Sequence, residues 1–142
     1  MSFSNTAETA IMKLIFQAVA WGNMANNAAA TPQTNISMAL HTADPGEAGT
    51  QATSEATYTS YARQSVARTT GGWTEASGTI TPVAQIAFPA ATGGASTITH
   101  ASAGKTGGGA SDVWMSGTAT PNVAVTNPIQ PILSTATAFS LD

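Results

Sequence analysis

The hydrophobic period of this chain changes once, and that change limits the fold more than any other feature. Over residues 5–21 apolar side chains recur at helical spacing. Ile11, Leu14, Ile15 and Ala18 stand at i, i+3, i+4 and i+7, and Met12, Phe16 and Val19 form a second face beside them. From Asn35 onward the spacing is two: Ile36, Met38 and Leu40 alternate with Ser37, Ala39 and His41, as in a strand with one buried face. After the Gly71-Gly72 pair, short apolar runs at 79–81, 83–88, 97–100, 113–115, 123–125, 129–133 and 135–141 are each bounded by Gly, Pro, Asn or Ser. Short, evenly spaced strands with such punctuation predict a sandwich or barrel. The expected fold is mainly β: an antiparallel β-sandwich with one N-terminal α-helix. It is expected as a single domain over residues 1–142, with helix and linker over 1–32 and the sandwich over 33–142.

Asn5 is a favourable N-cap with Glu8 three residues on, the capping-box spacing. Gly22, the Asn26-Asn27 pair and Thr31-Pro32 supply the stop signals. Such a helix has apolar surface over more than half its circumference, which its own sheet, a neighbouring subunit or a larger partner must cover. Ile11, Met12, Leu14, Ile15, Phe16 and Val19 are therefore the expected assembly contact, and a homo-oligomer or tightly docked subunit is the expected state. As a membrane span the run is too short, since about 20 residues are needed. A secretion signal is disfavoured because Glu8 precedes Lys13 and Gln17 interrupts the apolar run.

Composition removes further classes. Charged residues make up 8% of the 142, against about 25% in an ordinary soluble domain. Four basic residues against seven acidic ones leave no patch to neutralise a run of phosphates, so direct nucleic-acid binding is not expected. Low net charge with a mean hydropathy of +0.04 argues for a folded chain rather than a disordered one. With no cysteine there is neither a disulfide nor a thiolate metal site. A segment from Glu47 to Ala56 without periodicity is expected to be an exposed loop, and residues 57–68 shift phase near Tyr61, as at a bend.

Signals of chemistry are weak. Gly104-Lys105-Thr106 imitates the end of a phosphate loop, but Thr99 stands where its first glycine is required, and Gly107-Gly108-Gly109 fits a flexible connection. His41, Asp44 and His100 cannot complete a common zinc set by themselves, so His41 is expected to end a strand and Asp44 to brace the following turn. Glu47, Glu55, Glu75 and Asp112 are scattered, without the apolar surroundings that raise a catalytic carboxyl. Arg63 and Arg68 do not form a basic stripe on a regular strand. Tyr58, Tyr61, Trp73 and Trp114 fit core or half-buried sheet positions better than a ligand platform. No catalytic, metal or cofactor-binding residue is expected.

The stretches Leu40-His41-Thr42-Ala43-Asp44-Pro45-Gly46, Glu55-Ala56-Thr57-Tyr58-Thr59-Ser60-Tyr61-Ala62-Arg63, Phe88-Pro89-Ala90, Thr92-Gly93-Gly94 and Trp114-Met115-Ser116-Gly117 stand in that order. Together they resemble a family of small structural proteins of tailed bacteriophages, labelled tail fibre or capsid-associated proteins. The resemblance runs from about residue 36 to near the C-terminus, and the N-terminal helix resembles that of some members. It implies a virion component on the outer head surface or the tail, with a jelly-roll-like fold, no enzymatic activity, and the major capsid protein or tail proteins as partners. The chain is short for a fibre with both an attachment domain and a shaft, which favours a capsid decoration or cement protein. A tail fibre or tail adaptor, and a receptor- or carbohydrate-binding module, are the competing expectations; a hydrolase acting on cell-surface polymer is the weakest. Few charges to desolvate suits close subunit packing.

Overall fold

A computed structural model describes residues 4–22, 24–25, 28, 31–105 and 113–141. It is mainly β, with antiparallel sheets and one N-terminal helix among the described residues, as the change of period predicts. The elements are α1 (Asn5–Gln17), β1 (Asn35–His41), β2 (Gln64–Ala67), β3 (Trp73–Ala76), β4 (Thr79–Pro82), β5 (Ile86–Ala87), β6 (Ala95–Lys105), β7 (Val113–Thr126), β8 (Ile132–Leu133) and β9 (Phe139–Ser140). Asn26, Asn27, Thr106, Asp112 and the run Gly107-Gly108-Gly109 lie outside the described residues.

Two compact units are present, each assembled from separate stretches: Met1–Asn35 with Ala67–Ile86 and Leu133–Asp142, and Ile36–Val66 with Ala87–Ile132. In the first unit, α1 begins one residue earlier than a capping box on Asn5 requires. Ser4 is the N-cap, its Oγ accepting from the Ala7 N–H at 3.4 Å, and Glu8 therefore sits one position too late to reciprocate. The helix also ends at Gln17, four residues short of the expected Trp21. Ala18 turns into the left-handed region at φ +57, and the Val19 N–H returns to the Lys13 carbonyl at 3.2 Å. Continuing the helix would need the Leu14 and Ile15 carbonyls to accept from Ala18 and Val19. Arg68 takes both carbonyls instead.

The three-stranded sheet of this unit runs β3-β4-β9. A two-residue turn joins β3 to β4 through Ser77 (φ +52) and Gly78 (φ +79), the paired positive angles of a type I′ hairpin. Met12, Phe16, Trp73 and Ile80 are fully buried between helix and sheet. Phe16 meets Trp73 edge-on at 4.8 Å and Phe139 nearly parallel at 5.9 Å. Met12 and Phe16 thus point into the unit's own core, which removes them from the expected assembly contact. Polar groups fix the helix from beside this core. Glu75 accepts from Thr9 Oγ1 and from the Gly78 N–H, both at 2.9 Å, and pairs with Lys13 at 3.3 Å, while Gln17 Nε2 donates to the Trp73 carbonyl at 2.9 Å.

The second unit is built on a four-stranded sheet of order β2-β1-β6-β7. Here the expectation of a half-buried β1 is corrected: Ile36 to His41 are all buried, the polar alternates included. The cover comes from residues 42–56, of which Glu47 to Ala56 are expected to be an exposed loop. Gln51 in that segment is fully buried and donates from Nε2 to the Ser37 carbonyl at 2.7 Å, and the Ala56 N–H donates to the Leu40 carbonyl at 2.9 Å. Pairing Gln51 Nε2 with the Ser37 carbonyl offsets the cost of burying this polar face, while Gln51 Oε1 is left without a hydrogen-bond partner. Asp44 braces the 42–56 segment as expected, its Oδ1 accepting from the Gly46 N–H at 2.9 Å. The bend near Tyr61 is a tight turn in which the Tyr61 N–H donates to the Tyr58 carbonyl at 3.0 Å with Ser60 at φ +81.

The expectation of uniformly short strands also fails in this unit. β6 has 11 residues and β7 has 14, joining the runs 113–115 and 123–125 that Gly117 and Pro121 had separated. Both breakers are tolerated because β7 is an edge strand and its register slips between the pairs Ile98↔Val123 and His100↔Thr118. A proline at an edge or bulge forfeits no ladder hydrogen bond.

Candidate functional site

Two classes of site can be tested on this geometry, a chemical centre and an assembly surface. The nearest approach to a chemical centre is at His41, the last residue of β1. Its Nδ1 lies 2.8 Å from the Thr53 carbonyl and its Nε2 lies 2.7 Å from Ser102 Oγ. A carbonyl only accepts, so Nδ1 carries the proton and Nε2 accepts from the serine hydroxyl. The hydroxyl–imidazole–acceptor chain has the connectivity of an activated nucleophile. Both side chains are fully buried, however, so no substrate reaches the hydroxyl. Burial also lowers the His41 pKa from its ordinary value, holding the ring neutral.

The remaining expected candidates are structural in this geometry. Glu55 and Arg63 form a two-pronged ion pair at 2.7 and 2.8 Å. Burial pushes the Glu75 carboxyl up, but the Gly78, Thr9 and Lys13 donors outweigh it and hold the pKa below the usual value. Arg68 caps α1 through the Leu14, Ile15 and Gln33 carbonyls, a role no local pattern signals because 53 positions separate it from Ile15. With Lys13 on Glu75, three of the four basic side chains are committed to contacts within their own unit. Among the described residues no three His, Asp or Glu side chains converge. Tyr58 and Trp73 are core residues and Tyr61 is half-buried against Phe88 at 6.2 Å.

Surface apolar groups are more informative. Of the six residues expected to form a contact, Ile11, Leu14 and Ile15 are half-buried and Val19 is exposed, followed by an exposed Met24. In the second unit, Trp114 is exposed on β7. Met115 pairs with Ala103 and Val113 with Gly104, which leaves Trp114 as the extra residue of a bulge. Bulges re-aim side chains in this way. No charged residue occurs between Val113 and Thr126, along a strand hydrogen-bonded on one side only. The edge is not legible in the sequence because Gly117 and Pro121 carry the signals of strand ends.

The family model described as "Podophage GP4 fiber I protein gp80" matches residues 2–134. The chain belongs to this family. The fiber I family match covers the helix and every strand but β9, so it rests on more than one motif. It agrees with the resemblance to phage structural proteins carried by the ordered motifs from Leu40 to Gly117. No curated protein matches the chain. Membership of the fiber I family makes this a phage structural protein of the virion.

Proposed function

We propose that the protein is a non-enzymatic subunit of the phage fibre assembly, working through packing contacts with other virion proteins. The observation that carries this reading is the family match over residues 2–134, whose description is a fibre protein. Supporting it, the His41–Ser102 pair is enclosed, and the exposed apolar residues Val19, Met24 and Trp114 are of a kind that contacts bury. The low charge fits as well, since charges are depleted at the centre of protein interfaces.

Head decoration, the expectation drawn from chain length, predicts a different stoichiometry. A cement protein coats capsomers in scores of copies, and by binding only the assembled head it raises the head's thermal stability. Quantitative mass spectrometry of purified virions against the major capsid protein separates the two. A low, fibre-like copy number with label confined to the tail supports the fibre reading. Scores of copies on the head would replace it with decoration.

Within either assembly, Ile11, Leu14 and Ile15 of α1 and Val19 just beyond its C-terminus are the proposed contact residues, and self-association is the proposed mode. Val19→Glu places a charge on that surface without entering the core. It should lower the mass seen by light scattering or reduce incorporation into virions. An unchanged mass together with unchanged incorporation would remove this surface from the interface.

A further inference from the structure

The chain contains two histidines, and β1 and β6 bring them face to face: His41 and His100 are direct partners in the antiparallel register. Directly opposed residues project from the same face of a sheet, so the two imidazoles are neighbours. Ser102, two residues along β6, lies on that same face and supplies the hydroxyl that His41 Nε2 accepts. The other ring nitrogen reaches out of the sheet to the Thr53 carbonyl at 2.8 Å. We propose that His41, with His100 facing it, is an acid-sensitive latch that pins residues 42–56 to the four-stranded sheet and releases them when the His41 ring is protonated.

Two further bonds attach the segment to β1: beside His41 the Ala56 N–H donates to the Leu40 carbonyl at 2.9 Å, and farther along the strand Gln51 Nε2 donates to the Ser37 carbonyl at 2.7 Å. In its neutral form the ring matches its surroundings, donating to a carbonyl and accepting from a hydroxyl. Protonation puts hydrogen on Nε2, ends its role as acceptor, and leaves a cation on a fully buried side chain. The charged groups around the ring do not relieve it. Glu55 favours the cation and Arg63 opposes it, but these two are bound to each other at 2.7 Å, and Tyr61 is held neutral by burial. His100, facing the ring from β6, also opposes charge on His41. Lifting residues 42–56 opens the site to water while the β1–β6 ladder stays paired.

Amide hydrogen exchange on the full-length protein tests the latch. Protection at Ala56 should fall between about pH 7.5 and about pH 5, after correction for intrinsic exchange, by at most about tenfold per pH unit once below 6.5. The ladder amides of β6 should keep their protection. His100→Gln should fold, since His100 is only half-buried, and should move the opening to lower pH by removing the facing imidazole. His41→Gln, where it folds, should make the protection of Ala56 independent of pH over this range. The proposal is overturned by constant protection of Ala56 across the range, by a parallel loss in β6, or by a His100→Gln profile identical to that of the parent.

Discussion

The Arg68 guanidinium donates to the main-chain carbonyl of Ile15 at 2.5 Å, and in doing so ends the helix. The same group reaches the Leu14 and Gln33 carbonyls, and the Arg68 N–H donates to the Thr34 carbonyl at 2.9 Å. One side chain thus satisfies acceptors that a helix terminus leaves over and ties the chain after the helix to the strand region of its unit. A cation at this end also opposes the negative pole of the helix dipole.

Replacing Arg68 by Ala should therefore destabilise the first unit by about 2 kcal/mol, the scale of hydrogen bonds to a charged donor. Lysine, a single-point donor, should recover only part of the loss. Urea denaturation followed by far-ultraviolet circular dichroism measures both. An Ala variant with parental stability would show that the contact carries no net free energy.

Ala18 holds a left-handed angle that glycine adopts without steric cost. Ala18→Gly should stabilise the protein by up to about 1 kcal/mol, because relief at the cap exceeds the added freedom of the unfolded chain. Thermal unfolding should show a small upward shift in Tm.

Phe139 closes the aromatic cluster from β9, stacking on Phe16 at 5.9 Å and meeting Trp73 at 6.2 Å. Phe139→Ala should cost about 3–5 kcal/mol, the range for removing a buried aromatic side chain and leaving a cavity. Phe139→Leu should recover most of it.

Glu75 contributes an acid limb to stability distinct from that of His41. Its folded pKa lies below the ordinary 4.5, so the unfolded chain binds the proton more readily. The contribution is fully present above 4.5 and is lost as pH falls through the folded value. His41, also lowered in the folded state, destabilises as pH falls below 6.5, a window two units higher. Chemical denaturation across pH should show both limbs. Glu75→Gln should lower stability near neutrality and flatten only the lower one.

The sequence by itself determined the order and type of the elements, because period and turn chemistry are local. Helical spacing from Ile11 to Phe16, alternation from Ile36 to Leu40, and the Ser77-Gly78 turn each act within a few residues. The motifs from Leu40 to Gly117 likewise made the phage structural family legible. Tertiary structure decided where elements stop and which faces they hide. The apolar face of α1 carried no mark of what would cover it, and Trp73 and Phe139 claimed Met12 and Phe16 for the core. Arg68 ended the helix from 53 positions away, Gln51 and His41 buried the polar face of β1, and the edge position of β7 made Pro121 harmless. Each of these depends on a partner distant in sequence, and the free energy of capping or burying a group belongs to the pair that meets rather than to either residue alone.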